Sequence, residues 1–318
     1  MGRSLAPRGD RTGHLDLAAA VRGADCYLHC RRGAAASRQH NVRSGARSSF
    51  VRRATTHLDD KSRARKGNSM SETLAIVMAA GKGTRMESEL PKVLVPACGR
   101  PMIEYVLDTL ETAGVGRAAV VVGYRADDVR TALSGRSQLV FVEQTEQLGT
   151  GHAVMMCREQ IAAHEGPVLV VTGDSPMIQV DSIRALLDLY ESERPACILG
   201  SLHSDDPHGL GRIVRDAQGE FQGIVEEKDA TPEQRLITEV NMSTYVFDAA
   251  ELRPCLDQIT NTNQQGEYYI TDCPGILREA GKDVRALPVL KPCEALSVNN
   301  MEQLAVVEAE MRKLGMAQ

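Results

Sequence analysis

LAIVMAAGKGTRMESELPKVLV, residues 74–95, sets a continuous apolar run directly before a glycine-rich turn and two spaced cations, Arg85 and Lys92. Residues 74–78 are apolar without alternation, the pattern of a parallel strand covered on both faces. Small Ala79 and Ala80 let the chain turn closely behind that strand. Gly81 and Gly83 then free the backbone, so that consecutive amides can face one concavity and hold phosphate oxygens. Taken alone, the glycines favour an ordinary loop at a strand end. A dinucleotide fingerprint needs a third glycine where Met86 stands, and the GxxxxGK spacing of a P-loop does not occur.

Downstream, strand and helix patterns alternate. Residues 118–122, 139–142 and 168–171 are further short apolar runs. Pro101 suits a first helical turn, Ile103, Val106, Leu107 and Leu110 repeat on one face, and Gly114 ends the segment. Ile183, Leu186, Leu187 and Tyr190 mark a second amphipathic helix; Leu304, Val307, Met311 and Leu314 mark one near the C-terminus. This alternation predicts an α/β fold, with a mostly parallel sheet flanked by helices and ligands collecting beyond the carboxyl ends of its strands.

Charge divides the chain. Residues 1–69 carry 13 Arg and 2 Lys against 5 Asp and no Glu, a net of +10, with no sustained apolar period. They are expected to be a disordered extension without a core. An organelle transit peptide, a nucleic-acid-binding arm and upstream sequence joined by a wrong start are the readings open to it. The last is preferred, because Met70 opens MSETLAIV four residues before the first strand. The remaining 249 residues carry −15 and suit one domain, 70–318, with no nucleic-acid partner.

The eight cysteines are scattered, as in a reduced, cytoplasmic chain. Cys26 and Cys30 in CYLHC have no second ligand pair to complete a zinc site. No apolar run approaches a membrane span, and no secretory signal is present.

Two later segments carry chemistry. Asp174 follows the apolar run 168–171 and so stands at the carboxyl end of a buried strand. A lone Asp there more often caps a turn; beside a phosphate loop it becomes a candidate magnesium ligand needing one distant partner. EQTEQLGTGHA, residues 143–153, follows the run 139–142. Gln144 and Gln147 offer donors and acceptors that match the mixed edge of a pyrimidine, and Gly149, Thr150 and Gly151 bring backbone close to a ligand. His152, near a helix start, reads as a structural hydrogen-bonding residue rather than a catalyst.

The ordered series AAGKGTRM, PKVL, EQLGTGHA, GD, GLGRI, VEEKDAT, GEYYITD and VNN resembles the uridylyltransferase domain of the bifunctional N-acetylglucosamine-1-phosphate uridylyltransferases, over essentially residues 74–312. The resemblance implies a Rossmann-like nucleotidyltransferase fold with a small sugar-binding β-hairpin. It implies magnesium-dependent uridylyl transfer from UTP to N-acetylglucosamine 1-phosphate, giving pyrophosphate and UDP-N-acetylglucosamine. Another sugar 1-phosphate, or a noncatalytic sugar-nucleotide sensor, is the alternative. By similarity, Ala79, Ala80, Gly81 and Gly83 hold the nucleotide, Arg85 reaches the departing pyrophosphate, and Lys92 stabilises the reacting phosphates. Gln144, Gly149 and Thr150 take the base, Gly211, Glu226 and Asn241 the sugar, and Asp174 with Asn299 the Mg²⁺ ion. Glu226, at the end of the alternating run 221–226, would otherwise read as a solvent-facing strand residue.

Four positions depart from the family pattern. Met242 and Ser243 stand where a small polar residue and glycine are usual, Ser297 replaces a glycine and Met301 an arginine. Asn300 and Gln303 also fit a helix capping box. Family members continue into a hexapeptide-repeat β-helix, which this chain does not contain, so neither acetyl transfer nor a trimer built on such a coil is expected.

Overall fold

β1 (Leu74–Ala79) forms where the apolar run predicts it, buried throughout except for half-buried Met78. A computed structural model describes residues 73–86 and 88–316, all within one compact unit. The basic leader, the start at Met70 and the Cys26/Cys30 pair lie outside the described residues.

After β1 come the two-residue ladder β2 (Pro96–Ala97) and β3 (Arg100–Pro101), then α1 (Met102–Ala113), β4 (Arg117–Val122), α2 (Ala126–Ala132) and β5 (Leu139–Glu143). Next are α3 (Thr150–Met156), α4 (Arg158–Ala162), β6 (Pro167–Thr172), α5 (Val180–Glu193) and β7 (Cys197–His203). The chain continues through β8 (Gly211–Arg215), β9 (Phe221–Val225), β10 (Glu239–Asp248) and α6 (Ala249–Leu256). It closes with α7 (Asp272–Glu279), β11 (Val284–Leu287) and α8 (Met301–Lys313).

The main sheet has the order β11-β7-β10-β6-β1-β4-β5, with β8 on β10 and β9 on β8. β1 pairs parallel with β4 and β6, β4 with β5, and β7 with β11; β10 alone runs antiparallel between β6 and β7. Successive β1 side chains enter opposite cores, as a period of two requires. Ala75 and Val77 belong to the core that holds Ile103, Leu107, Leu186 and Tyr190, while Ile76 belongs to the one that holds Val154, Ile161 and Leu252 on the other face. Full burial of each large aliphatic contributes about 1.5–3 kcal/mol. The sheet is mostly parallel, with helices on both faces, as the alternation of strand and helix predicts.

Pro101 is the residue before α1 rather than its first turn, and Gly114 ends that helix at φ 95°, donating to Leu110 and Glu111 carbonyls. Leu304, Val307 and Met311 of α8 are buried, but Leu314 falls at the helix end and is half exposed. Asn300 caps α8 by accepting from Gln303 N; Gln303 Oε1 reaches back to Asn299 N, one residue beyond the position of a true capping box. The small hairpin exists as β8 and β9. No helix among the described residues is long and apolar enough to cross a membrane.

Candidate active site

The strand ends of β1 and β6 meet at the glycine loop. Gly173, just after β6, donates to Met78 O at 2.9 Å; a methyl there would stand 3.2 Å from Val93 Cγ1, so glycine lets the two ends close. Of the two loop glycines only Gly83 uses positive φ, at 67°. A Cβ on Gly83 would lie 2.8 Å from Lys92 Cβ, so this glycine makes room for the lysine stem. Ala79 is buried in the core, and Met86, where a third glycine was required, is 1% exposed. Ala80 and Gly81 line an open cavity of about 270 Å³.

Four candidates from three distant segments converge beside that cavity. Lys92 Nζ lies 2.5 Å from Asp174 Oδ2 and donates to Asn299 Oδ1 at 3.0 Å. Arg85 Nη2 donates to the same Asn299 oxygen at 3.4 Å. Asn299 is oriented by its own Nδ2 donating to Ser297 Oγ at 3.1 Å, a bond the glycine usual in the family could not make. Asp174 and Asn299 thus aim hard oxygen atoms at one cationic point. Mg²⁺ takes one or two protein oxygens together with phosphate and water, so the donor set fits that ion. Among the described residues no cluster of three or more His, Cys, Asp or Glu side chains offers a rival site.

Gln144 and Gln147 also line the cavity. Gln144 is 3% exposed, and its Nε2 lies 3.2 Å from Gly149 O and 3.0 Å from His152 Nδ1. His152 is therefore a hydrogen-bonding partner of Gln144. Gly149, at φ 109°, and Thr150 line the same cavity, and Gly149 and Gly151 also pack closely against backbone. A Cβ on Gly149 would stand 2.5 Å from Tyr268 O, and one on Gly151 would stand 3.0 Å from the same atom. Gly151 N donates to Tyr268 O at 2.7 Å, and Thr150 Oγ1 accepts from Ile270 N at 3.1 Å. These glycines bring the loop against protein backbone, joining the base side to the GEYYITD segment.

The sugar-side candidates also meet. A Cβ on Gly211 would lie 3.6 Å from Asn241 Cβ and 3.6 Å from Glu226 Oε1. Asn241 Nδ2 donates to Tyr245 OH at 2.7 Å and its Oδ1 accepts from Ser243 N at 3.2 Å, so it secures a bulge in β10. Glu226 is half-buried, not solvent-facing, and accepts from Thr271 Oγ1 at 3.1 Å. Burial raises its pKa, and Asp229, Asp272 and Glu267 add to the shift against the Thr271 bond. Glu226 borders a cavity of about 400 Å³ with Asp229, Tyr269, Thr271 and Asp272, none of which the sequence reading had singled out. The signal was present, since all four fall inside the VEEKDAT and GEYYITD motifs.

Residues 75–240 match the MobA-like NTP transferase domain. The bifunctional protein GlmU of Shouchella clausii is 41% identical over 244 residues, covering 77% of this chain and 53% of the relative. That of Streptococcus suis is 43% identical with the same coverage. The chain thus spans about half the length of the curated relatives it matches. A crystal structure of UDP-glucose pyrophosphorylase with UDP-glucose superposes with a TM-score of 0.61 at 17% identity, covering 76% of this chain and 99% of the other.

Proposed function

Because the chain belongs to the MobA-like NTP transferase domain family, we propose that it transfers a uridylyl group from UTP to N-acetylglucosamine 1-phosphate, releasing pyrophosphate. The convergence of Lys92, Arg85, Asp174 and Asn299 carries this reading. A sugar phosphate oxygen is already ionised at neutral pH, so the site needs alignment and charge neutralisation rather than a general base. Asp174 and Asn299 would hold Mg²⁺, which neutralises charge on phosphate oxygens. Lys92 then turns to the reacting phosphates and Arg85 to the departing pyrophosphate. Ala80 and Gly81 shape the triphosphate side, Gln144 reads the base, and Gly211, Glu226 and Asn241 frame the sugar.

The choice of N-acetylglucosamine rests on the similarity of the chain to the GlmU proteins. The test is pyrophosphate release by the full chain with MgCl₂, UTP and a panel of sugar 1-phosphates. Fastest turnover with N-acetylglucosamine 1-phosphate is expected. A different preferred sugar overturns the specificity, and binding of UDP-sugar without any turnover makes the protein a sensor.

A further inference from the structure

We infer that His152 is a positioning residue that fixes which face of Gln144 the nucleobase meets, and thereby sets the preference for uracil over cytosine. The inference rests on the uridylyl-transfer reading of the same site. Gln144 is anchored from behind, its backbone N donating to Val122 O at 2.8 Å as an extension of the β4–β5 pairing. Its side-chain amide has two N–H groups, and the structure gives each a partner. Gly149 O, at 3.2 Å, can only accept, so Nε2 and not Oε1 must face it. His152 Nδ1, at 3.0 Å, then receives the second N–H and must carry no proton.

This bonding leaves Oε1 as the side-chain atom that Gln144 can offer to a ligand in the cavity, and it makes no hydrogen bond among the described residues. The sequence alone allowed Gln144 to be donor and acceptor together. With both N–H groups engaged it is an acceptor only. A base must then supply an N–H donor at the point that Oε1 faces; uracil has one at N3, whereas cytosine carries its donor on the exocyclic N4 and must shift along its edge to reach Oε1. Cytosine N3 would set a lone pair against Oε1. Sites that demand a hydrogen bond discriminate strongly against the ligand that cannot make it.

Without His152, one Nε2 hydrogen is released and the amide is held by Gly149 O alone. His152→Leu should lower the ratio of kcat/KM for UTP to that for CTP by about tenfold or more, mainly through KM for UTP. His152→Asn places Oδ1 on Cγ where the imidazole has Nδ1, so it should keep the ratio within about threefold of wild type. An equal loss for both nucleotides, or an Asn variant as impaired as the Leu variant, would reduce His152 to a packing partner of Tyr268, whose ring centroid lies 6.3 Å away.

A second measurement needs no variant. Nitrogen-15 correlation spectra of the full wild-type chain should show His152 protonated at Nε2 and bare at Nδ1; the opposite tautomer overturns the inference. If the wild-type chain uses no nucleoside triphosphate, the proposed function fails instead, and the tautomer still decides how Gln144 is held.

Discussion

Lys92 Nζ lies 2.5 Å from Asp174 Oδ2 and within hydrogen-bonding distance of Asn299 Oδ1, so one lysine occupies the point at which both oxygens aim. The two candidate metal ligands therefore already share a cation, supplied by the chain itself. If Asp174 and Asn299 hold the proposed metal, the ion would take the place of this ammonium and leave Lys92 to meet phosphate.

Replacing Lys92 with methionine should separate those two roles. Without the competing ammonium, Mn²⁺ used as a probe should bind the nucleotide-free protein about tenfold more tightly, because a charge-assisted hydrogen bond is worth about 1.5–3 kcal/mol. Turnover should nevertheless fall about 10²–10³-fold, the usual effect of removing one charge-stabilising group. Calorimetric or magnetic-resonance titration with Mn²⁺ checks the first effect independently of activity, and unchanged affinity would remove Lys92 from the metal position.

Asp272 gives a stability prediction with a defined sign. Burial, then the Asp229 charge, lifts its pKa from 3.8 to about 6. An acid whose folded value is raised is protonated in both states at low pH, and folding loses stability as pH rises from the ordinary value through the folded one. Asp272→Asn should therefore stabilise the protein above the folded value and do nothing well below the ordinary one. Asp272 is only partly buried and opens α7, where the helix dipole favours a carboxylate, so the gain should be about 1 kcal/mol. Urea unfolding at mildly alkaline and strongly acid pH tests this. Glu239 behaves oppositely: burial raises its pKa, but the paired bonds from Arg215 and the Ser201 hydroxyl outweigh that and hold it low. Its contribution is present above the ordinary glutamate range and disappears as pH falls.

The Arg212–Glu227 pair should respond asymmetrically. Arg212 is 1% exposed, its Nη2 lies 2.7 Å from Glu227 Oε2, and its Nε has no partner. Glu227→Gln leaves a buried guanidinium without its counter-charge and should cost about 3 kcal/mol or more. Arg212→Met removes the buried charge and leaves a partly exposed carboxylate, so it should cost less. Equal or reversed costs in chemical denaturation would show that the pair is not governed by desolvation. Since Glu227 adjoins Glu226, the pair also fixes the strand end that borders the cavity of about 400 Å³.

The sequence made the β1 loop, the strand carrying Asp174 and the faces of α1 and α5 legible, because each depends on local periodicity or on a residue at a strand end. β10 escaped for a physical reason. Between Asn241 and Tyr245 it sets four residues' advance against two on β7, so alternation breaks where a strand would have declared itself. Ser243 sits at φ 53° inside that bulge, which explains why glycine suits this position; the serine retains the glycine-like backbone. The sequence singled out Gln144, which lines the cavity, but its orientation was not legible, since that depends on His152 eight residues later and on a carbonyl brought in by the fold. The packing of Gly149 against Tyr268 was invisible for a similar reason, because Tyr268 is remote in sequence.

Gly149 and Gly81 should therefore differ sharply when each is changed to alanine. At Gly149 the new methyl would meet Tyr268 O at 2.5 Å on a backbone held at φ 109°, so the joint between the base loop and the GEYYITD segment must open. Because Gln144 donates to Gly149 O on one side and Thr271 donates to Glu226 on the other, opening that joint disturbs both substrate sides at once. Gly149→Ala should raise KM for UTP and for the sugar phosphate together and lower stability by about 1–3 kcal/mol. At Gly81, which lines the same cavity as Gly149, a Cβ meets nothing within 4 Å and the backbone has no positive φ. Gly81→Ala should leave unfolding nearly unchanged and raise KM for UTP alone. Paired denaturation and steady-state measurements on the two variants decide the matter; a Gly149 variant impaired only toward UTP would mean that the two sides of the site are not joined through Tyr268.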